Sequence, residues 1–245
     1  MKNLAKQAIR RLVGHKPAIA KTDPLPNKLL EAESITGWFS RRECRRLYLT
    51  TVMTRGPILE IGHFLGRSTA CICEAIRDVR KPRVFRSYDL GFRSSTEFKD
   101  YYDRIHKADI AVPSQYEEIV FSKDTTTTAV AGDNLRRLGL ASFVELVSGN
   151  AFEMDCDKYD LIFCDATHEQ HEIEANVPLM IARSNHGCVW ALHDMNEGNI
   201  ELVSSLADVQ FCELTGSLGI FIYLGKPQPA EEASATAVSA AYPVG

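Results

Sequence analysis

Two apolar runs end in side chains able to do chemistry. In Tyr159-Asp-Leu-Ile-Phe-Cys-Asp165-Ala-Thr-His168 the run delivers an acid, and a histidine follows three residues later. Cys188-Val-Trp-Ala-Leu-His193-Asp194 repeats the arrangement. If the two runs are neighbouring strands, Asp165, His168, His193 and Asp194 converge on one point. The carboxylates of Asp165 and Asp194 suit Mg²⁺ or Mn²⁺, and an imidazole at His193 tilts the set towards a transition metal. His168 is the candidate general base, because an imidazole titrates near neutral pH and can take a hydroxyl proton. Taken singly, each histidine is as well explained as a cap or a satisfied polar residue; the four positions together favour a site. His15, His171 and His186 have no comparable placement.

A second constellation lies upstream. Ile58-Leu-Glu60-Ile-Gly62-His-Phe-Leu-Gly66-Arg-Ser68-Thr69 reads as a strand, a turn with two glycines four apart, and the start of an apolar helix. That order places backbone N–H groups and a helix N-terminus at the carboxyl end of a strand, where open α/β sheets bind small anionic ligands. Asp89 ends the next apolar run, where a carboxylate can accept both hydroxyls of a ribose lying over the turn. Gly149-Asn150-Ala151 follows the third run; a small residue there leaves room for a flat ring, and Asn150 offers an amide to its edge.

These residues need a scaffold, and the rest of the chain describes one. Strands are expected near 57–61, 84–89, 143–148, 159–164 and 188–193, separated by helices near 68–79, 125–138 and 169–183. Such alternation predicts a parallel sheet with right-handed crossovers. Residues 210–215 and 219–224 flank Gly216-Ser217-Leu218, a hairpin signal. Ser40-Arg-Arg-Glu43 has the spacing of a capping box and predicts a helix over 41–53, ended by Gly56-Pro57. Between Asp89 and the helix near 125 the connection is too long for a usual loop. It carries Tyr101, Tyr102, His106 and Tyr116, and an insertion over about 92–124 is expected to act as a lid.

The 245 residues, 45% of them apolar and 24% charged, fit one α/β domain with appendages. A net charge of −4 gives no reason to expect nucleic acid as a partner. No apolar run reaches membrane-spanning length. Seven cysteines without a C-x-x-C pair read as reduced, buried residues of a cytoplasmic protein. Residues 1–21 contain no acid and have an apolar and a basic helical face. Three readings remain open for them: docking on the domain or a second copy of a homo-oligomer, peripheral contact with a membrane surface, or a transit peptide. Organisation is therefore expected as a basic helix and linker over 1–27, a domain over 28–225, and a disordered tail over 226–245.

Over roughly 35–225 the chain resembles class I S-adenosylmethionine-dependent methyltransferases, most closely the small bacterial branch with macrocin-type and sugar O-methyltransferases. The resemblance rests on Gly37-Trp38-Phe-Ser40-Arg-Arg-Glu43, the Glu60-to-Thr69 turn, Asp89, Asp160 to His168, and His193-Asp194. It implies a seven-stranded Rossmann-like sheet, mostly parallel, with a terminal antiparallel hairpin. It also implies S-adenosylmethionine as cofactor: Glu60, Gly62, Gly66 and Ser68 around its methionine part, Asp89 at the ribose, Asn150 and Ala151 beside the adenine. Asp165 and Asp194 would hold a divalent ion, with His168 as base, during O-methylation of a sugar-like or natural-product acceptor. The chain departs from the pattern in four places: Phe64 replaces a glycine, His193 an acid before Asp194, Asn176 an acid in the helix after the fourth strand, and His186-Gly187 a Gly-Gly turn before the fifth. Those departures leave a catalytically silent partner protein as an alternative; nucleotide-linked oxidoreduction is a weaker one, since the turn lacks G-x-G-x-x-G.

Overall fold

The computed structural model describes residues 18–19, 25, 27–106, 125–154, 157–166 and 169–225. Residues 1–17 of the expected basic helix, the tail over 226–245, and 107–124 of the expected lid lie outside them, while Ala18–Ile19, within the segment read as helical, form a short strand.

Helix α1 (Arg41–Met53) opens with the capping box read from the sequence: the Ser40 hydroxyl accepts from the Glu43 N–H, and the Glu43 carboxylate accepts from the Ser40 N–H. The alternation then follows. Strand β2 (Ile58–Ile61) leads to α2 (Arg67–Val79), and β3 (Phe85–Asp89) to α3 (Ser95–His106) and α4 (Thr127–Arg137). Strand β4 (Glu145–Ser148) precedes β5 (Tyr159–Cys164), α5 (Gln170–Arg183) and β6 (Ser184–Leu192). Helix α6 (Glu197–Leu206) then leads to the hairpin β7 (Val209–Thr215) and β8 (Leu218–Tyr223). A two-residue strand β1 (Ala18–Ile19) comes first in the chain.

The sheet order is β1-β7-β8-β6-β5-β2-β3-β4. Strands β6, β5, β2, β3 and β4 are parallel, and β8 lies antiparallel between β6 and β7. The seven strands β2–β8 thus form the expected mostly parallel sheet with its terminal hairpin. Strand β1 adds an eighth, pairing parallel to β7.

Central strands are buried on both faces, as crossovers require. On β5, Leu161 and Phe163 join the cluster that α1, α2 and α4 cover, while Ile162 and Cys164 join the cluster under α5 and α6. The strand period of two sorts these residues without exception. Three further details differ from expectation. Strand β6 begins at Ser184, directly after α5, where Ser184 pairs with Tyr159 and its buried hydroxyl accepts from the Trp190 indole N–H. Helix α6 was not expected; Asn196 caps it by accepting from the Asn199 N–H. The first part of the insertion is helix α3. The six described cysteines are all free thiols. Among the described residues no helix is long and apolar enough to cross a membrane.

Candidate active site

Strands β2, β5 and β6 end side by side. The Asp165 N–H donates to the Ile61 carbonyl (2.8 Å) and the His193 N–H to the Cys164 carbonyl (3.0 Å), so the ladder continues past each strand. Gly62, at φ +87°, follows β2 there, and a Cβ on it would lie 2.9 Å from the Asp165 carbonyl oxygen. Only glycine meets both the left-handed backbone and that approach. The glycine turn and the acid-bearing strand end are therefore one structure.

The turn closes with the Gly66 N–H on the His63 carbonyl (2.7 Å). Gly66, also left-handed, is the N-cap of α2 and gives its first N–H groups no side-chain cap. Glu60 points inward from β2 and is fully buried. Its Oε1 accepts from the Ser68 hydroxyl (2.6 Å), and its Oε2 from those of Thr69 (2.6 Å) and Ser87 (2.5 Å). Burial pushes its carboxyl up to about 7 despite these three donors. Asp89 accepts from the N–H groups of Phe64 (2.8 Å) and Gly91 (2.9 Å) and from the Thr127 hydroxyl (3.3 Å).

His63, not singled out from the sequence, ties this half together. It is 2% exposed, with Nδ1 2.9 Å from the Ser87 hydroxyl and Nε2 3.1 Å from that of Thr128. Because the Ser87 hydrogen goes to Glu60, the His63 Nδ1–H must donate to Ser87, and Nε2 then accepts from Thr128. Burial holds the ring below its usual pKa, in keeping with this neutral tautomer.

At the strand ends His193 dominates. Its Nδ1 lies 2.8 Å from Asp165 Oδ1 and 3.2 Å from Asp194 Oδ2, and its Nε2 faces Glu43 Oε1 at 3.7 Å. Burial opposes the charge, but attraction to Asp165 and bonding to the surrounding carboxylates push the imidazole up to about 12. Glu43, read from the sequence only as a cap, also accepts from the N–H (2.7 Å) and hydroxyl (2.9 Å) of Ser217 in the β7–β8 turn. Burial opposes this charge too, yet the facing His193 cation and the bonds from Ser40 and Ser217 hold Glu43 at about 2. Asp194 sits at φ +56°, a strained conformation that acids tolerate and that recurs at functional sites.

Asp165, His193 and Asp194 offer donor atoms all within 4.8 Å of one another. Their 2.8 and 3.2 Å separations straddle the spacing of about 3 Å between adjacent ligands with bonds of about 2.1 Å. The set fits a divalent cation in place of the His193 proton. His168, the expected base, lies outside the described residues. Asn150 caps a short turn by accepting from the Phe152 N–H (3.0 Å), and Ala151 is buried beside it. Asn176 donates to the carbonyls of Ala166 (2.7 Å) and Glu172 (3.0 Å), bracing the exit of β5 instead of supplying charge.

Residues 59–195 match the family described as the methyltransferase domain. No match is found among curated proteins. Among solved structures the chain is similar to the O-methyltransferase NovP, at 12% identity and a TM-score of 0.53, over 74% of this chain and 79% of that one. An S-adenosylmethionine-dependent O-methyltransferase from Thermotoga maritima gives 11% identity and a TM-score of 0.50, over 79% of this chain and 69% of that one. The O-methyltransferase TomG from Streptomyces achromogenes, solved with S-adenosylmethionine, gives 16% identity and a TM-score of 0.46, over 90% and 96% of the two chains. At these identities the likeness is one of fold.

Proposed function

The chain belongs to the methyltransferase-domain family, whose pattern spans more than half of its length, and from that premise we propose that it moves a methyl group from S-adenosylmethionine to a hydroxyl of a small, sugar-like or natural-product acceptor. One observation carries this reading: the left-handed Gly62–Gly66 turn, opening the bare N-terminus of α2, abuts the Asp165 strand end. A cofactor on the turn thereby has its reactive end beside the acids.

On this reading Gly62 and Gly66 let the backbone approach the methionine part, while buried Glu60 and Ser68 fix the shape of the turn. Asp89, oriented by the Phe64 N–H, takes the ribose hydroxyls. Asn150 and Ala151 line the adenine. The acceptor oxygen attacks the methyl carbon, the carbon–sulfur bond breaks with its pair going to sulfur, and the hydroxyl proton passes to a base, assigned to His168. The cofactor supplies the electrophile, so the protein contributes position and a proton acceptor. Asp165, Asp194 and a deprotonated His193 would hold a divalent ion, whose charge would lower the pKa of a bound hydroxyl.

Calorimetric titration with S-adenosylmethionine is expected to show saturable binding, and none at millimolar cofactor would overturn the reading. The metal is tested separately. Chelation, or Asp165→Ala, is expected to abolish turnover while leaving cofactor binding intact; unchanged turnover after chelation would remove the ion from the chemistry. A silent partner protein would instead bind cofactor without turnover across a broad acceptor panel. The His193 Nδ1 held against both Asp165 and Asp194 is the observation that favours this second reading.

A further inference from the structure

Asp89, which the proposed reaction gives to the ribose, is already bonded three times within the protein. Its Oδ2 accepts from the Phe64 N–H (2.8 Å), and its Oδ1 from the Gly91 N–H (2.9 Å) and the Thr127 hydroxyl (3.3 Å). A carboxylate offers about four acceptor places, shared equally between its oxygens. Oδ1 is therefore full, and Oδ2 has one place left. A ribose that donates both of its hydroxyls needs a further one.

One of the three donors would have to yield, and they differ in how they are held. The two N–H groups belong to left-handed backbone, Phe64 at φ +43° and Gly91 at φ +75°. A Cβ on Gly91 would overlap the Ser148 hydroxyl, so that residue is packed tightly against the end of β4. Thr127 makes the longest bond and can leave by rotating one side-chain torsion. Its helix is pinned on all sides. Thr126 caps α4 by accepting from the Ala129 N–H (3.0 Å), the Thr127 N–H donates to the Phe92 carbonyl (2.9 Å), and the Thr128 hydroxyl is bound to His63 Nε2 (3.1 Å). Thr127 is fully buried, and Asp89 is the one acceptor of its hydroxyl among the described residues. A released Thr127 hydroxyl is thus stranded away from water.

We propose that Thr127 is a positioning residue that limits Asp89 to a single ribose hydroxyl, so that the protein discriminates against loss of one hydroxyl of the cofactor and tolerates loss of the other. This rests on the methyl-transfer reading and narrows its account of the ribose. Magnitudes decide the point. A hydroxyl donating to a carboxylate gains about as much as a buried donor loses when it is left unpaired. The ribose hydroxyl that takes the open place on Oδ2 keeps its full gain. Its neighbour reaches Oδ1 only by stranding Thr127, and the two effects nearly cancel. An acid with both oxygens open would grip the two hydroxyls alike.

Calorimetry on the full-length protein with S-adenosylhomocysteine and its 2′-deoxy and 3′-deoxy analogues tests this. Loss of one hydroxyl is expected to weaken binding about tenfold or more, and loss of the other by less than about threefold. Thr127→Val keeps the shape and removes the donor, which opens Oδ1. The parent compound is then expected to bind about fivefold tighter, and each deoxy analogue to lose about tenfold relative to it. Thr127→Ser keeps the donor and should keep the asymmetry, which a merely structural role for the side chain would not require. Should the valine variant not fold, Thr127→Ala removes the same donor without adding bulk and is expected to equalise the analogues in the same way. Equal losses for the two analogues in the unaltered protein, whether large or small, overturn the proposal. So does an asymmetry that survives removal of the Thr127 hydroxyl. Failure of S-adenosylhomocysteine and S-adenosylmethionine to bind at all defeats the methyl-transfer reading itself.

Discussion

Glu60 and Glu43 are both buried carboxyls at the site, and they sit at opposite ends of the titration range, at about 7 and about 2. Burial penalises the charge on both. Glu60 is surrounded by three neutral hydroxyls, whose dipoles offset only part of that penalty. Glu43 has two backbone N–H donors, a hydroxyl and the His193 cation, and there compensation wins. The turn half therefore buries an acid among neutral dipoles, and the strand-end half buries one against a cation. The same burial thus leaves Glu60 poised to ionise near neutrality and Glu43 charged.

The largest effect that would break this contrast is expected at Glu43. Glu43→Ala leaves His193 with two acids instead of three, removes the carboxylate half of the α1 capping box and frees the β7–β8 turn. Losing one partner of a buried pair and the reciprocal bond of the box together should cost about 4 kcal/mol in urea denaturation. Glu43→Gln keeps an acceptor for Ser40 and Ser217 but not the charge, and should recover about 1 kcal/mol. Full recovery by glutamine would mean that the charge at Glu43 is immaterial.

Next comes the pH dependence of stability. Glu60 is raised from 4.5 to about 7, so its contribution is complete below pH 4.5 and is lost as pH rises through 7. At about 1.4 kcal/mol per pKa unit, the loss approaches about 3 kcal/mol. His193, raised from 6.5 to about 12, loses its contribution only from pH 6.5 upward. Glu43, lowered from 4.5 to about 2, loses its contribution only as pH falls below 4.5. The cofactor-free protein should thus be most stable near pH 5. Glu60→Gln should flatten the fall between pH 4.5 and 7 and leave the slope above it; an unchanged profile would show that Glu60 is ionised throughout.

The same contrast explains what the sequence made legible. The turn half is nearly contiguous, from Glu60 to Thr69, and its glycines and hydroxyls announce their roles by spacing alone. Asp165, His193 and Asp194 could be brought together because each ends a readable apolar strand. Glu43 was legible only as a cap, since its second set of partners lies 174 residues away at Ser217. His63 stands inside the motif with no spacing to mark it; its partners Ser87 and Thr128 belong to other elements, and only the folded register makes it a link. Strand β1 has two residues and no periodicity to read. Trp38 and Phe39 lie in the helix-entry motif, yet one stacks on Phe64 and the other meets His193, partners that no spacing rule predicts.

The smallest expected effect is also the sharpest test, because it asks whether one hydroxyl behaves as the solvent of a buried acid. Ser68→Ala removes a single donor to Glu60. A hydrogen bond to a charged group is worth about 1.5–3 kcal/mol and one to a neutral group about 1. The cost of Ser68→Ala should therefore grow by about 1 kcal/mol between pH 4.5 and pH 8.5, as Glu60 ionises in the parent protein. Ser217→Ala removes a donor of the same kind from Glu43, which stays ionised over that whole range, so its cost should not change with pH. Equal pH dependence in the two serine variants would dissolve the distinction between the halves. A slope confined to Ser68→Ala would place the titrating carboxyl in the turn, independently of any cofactor or acceptor.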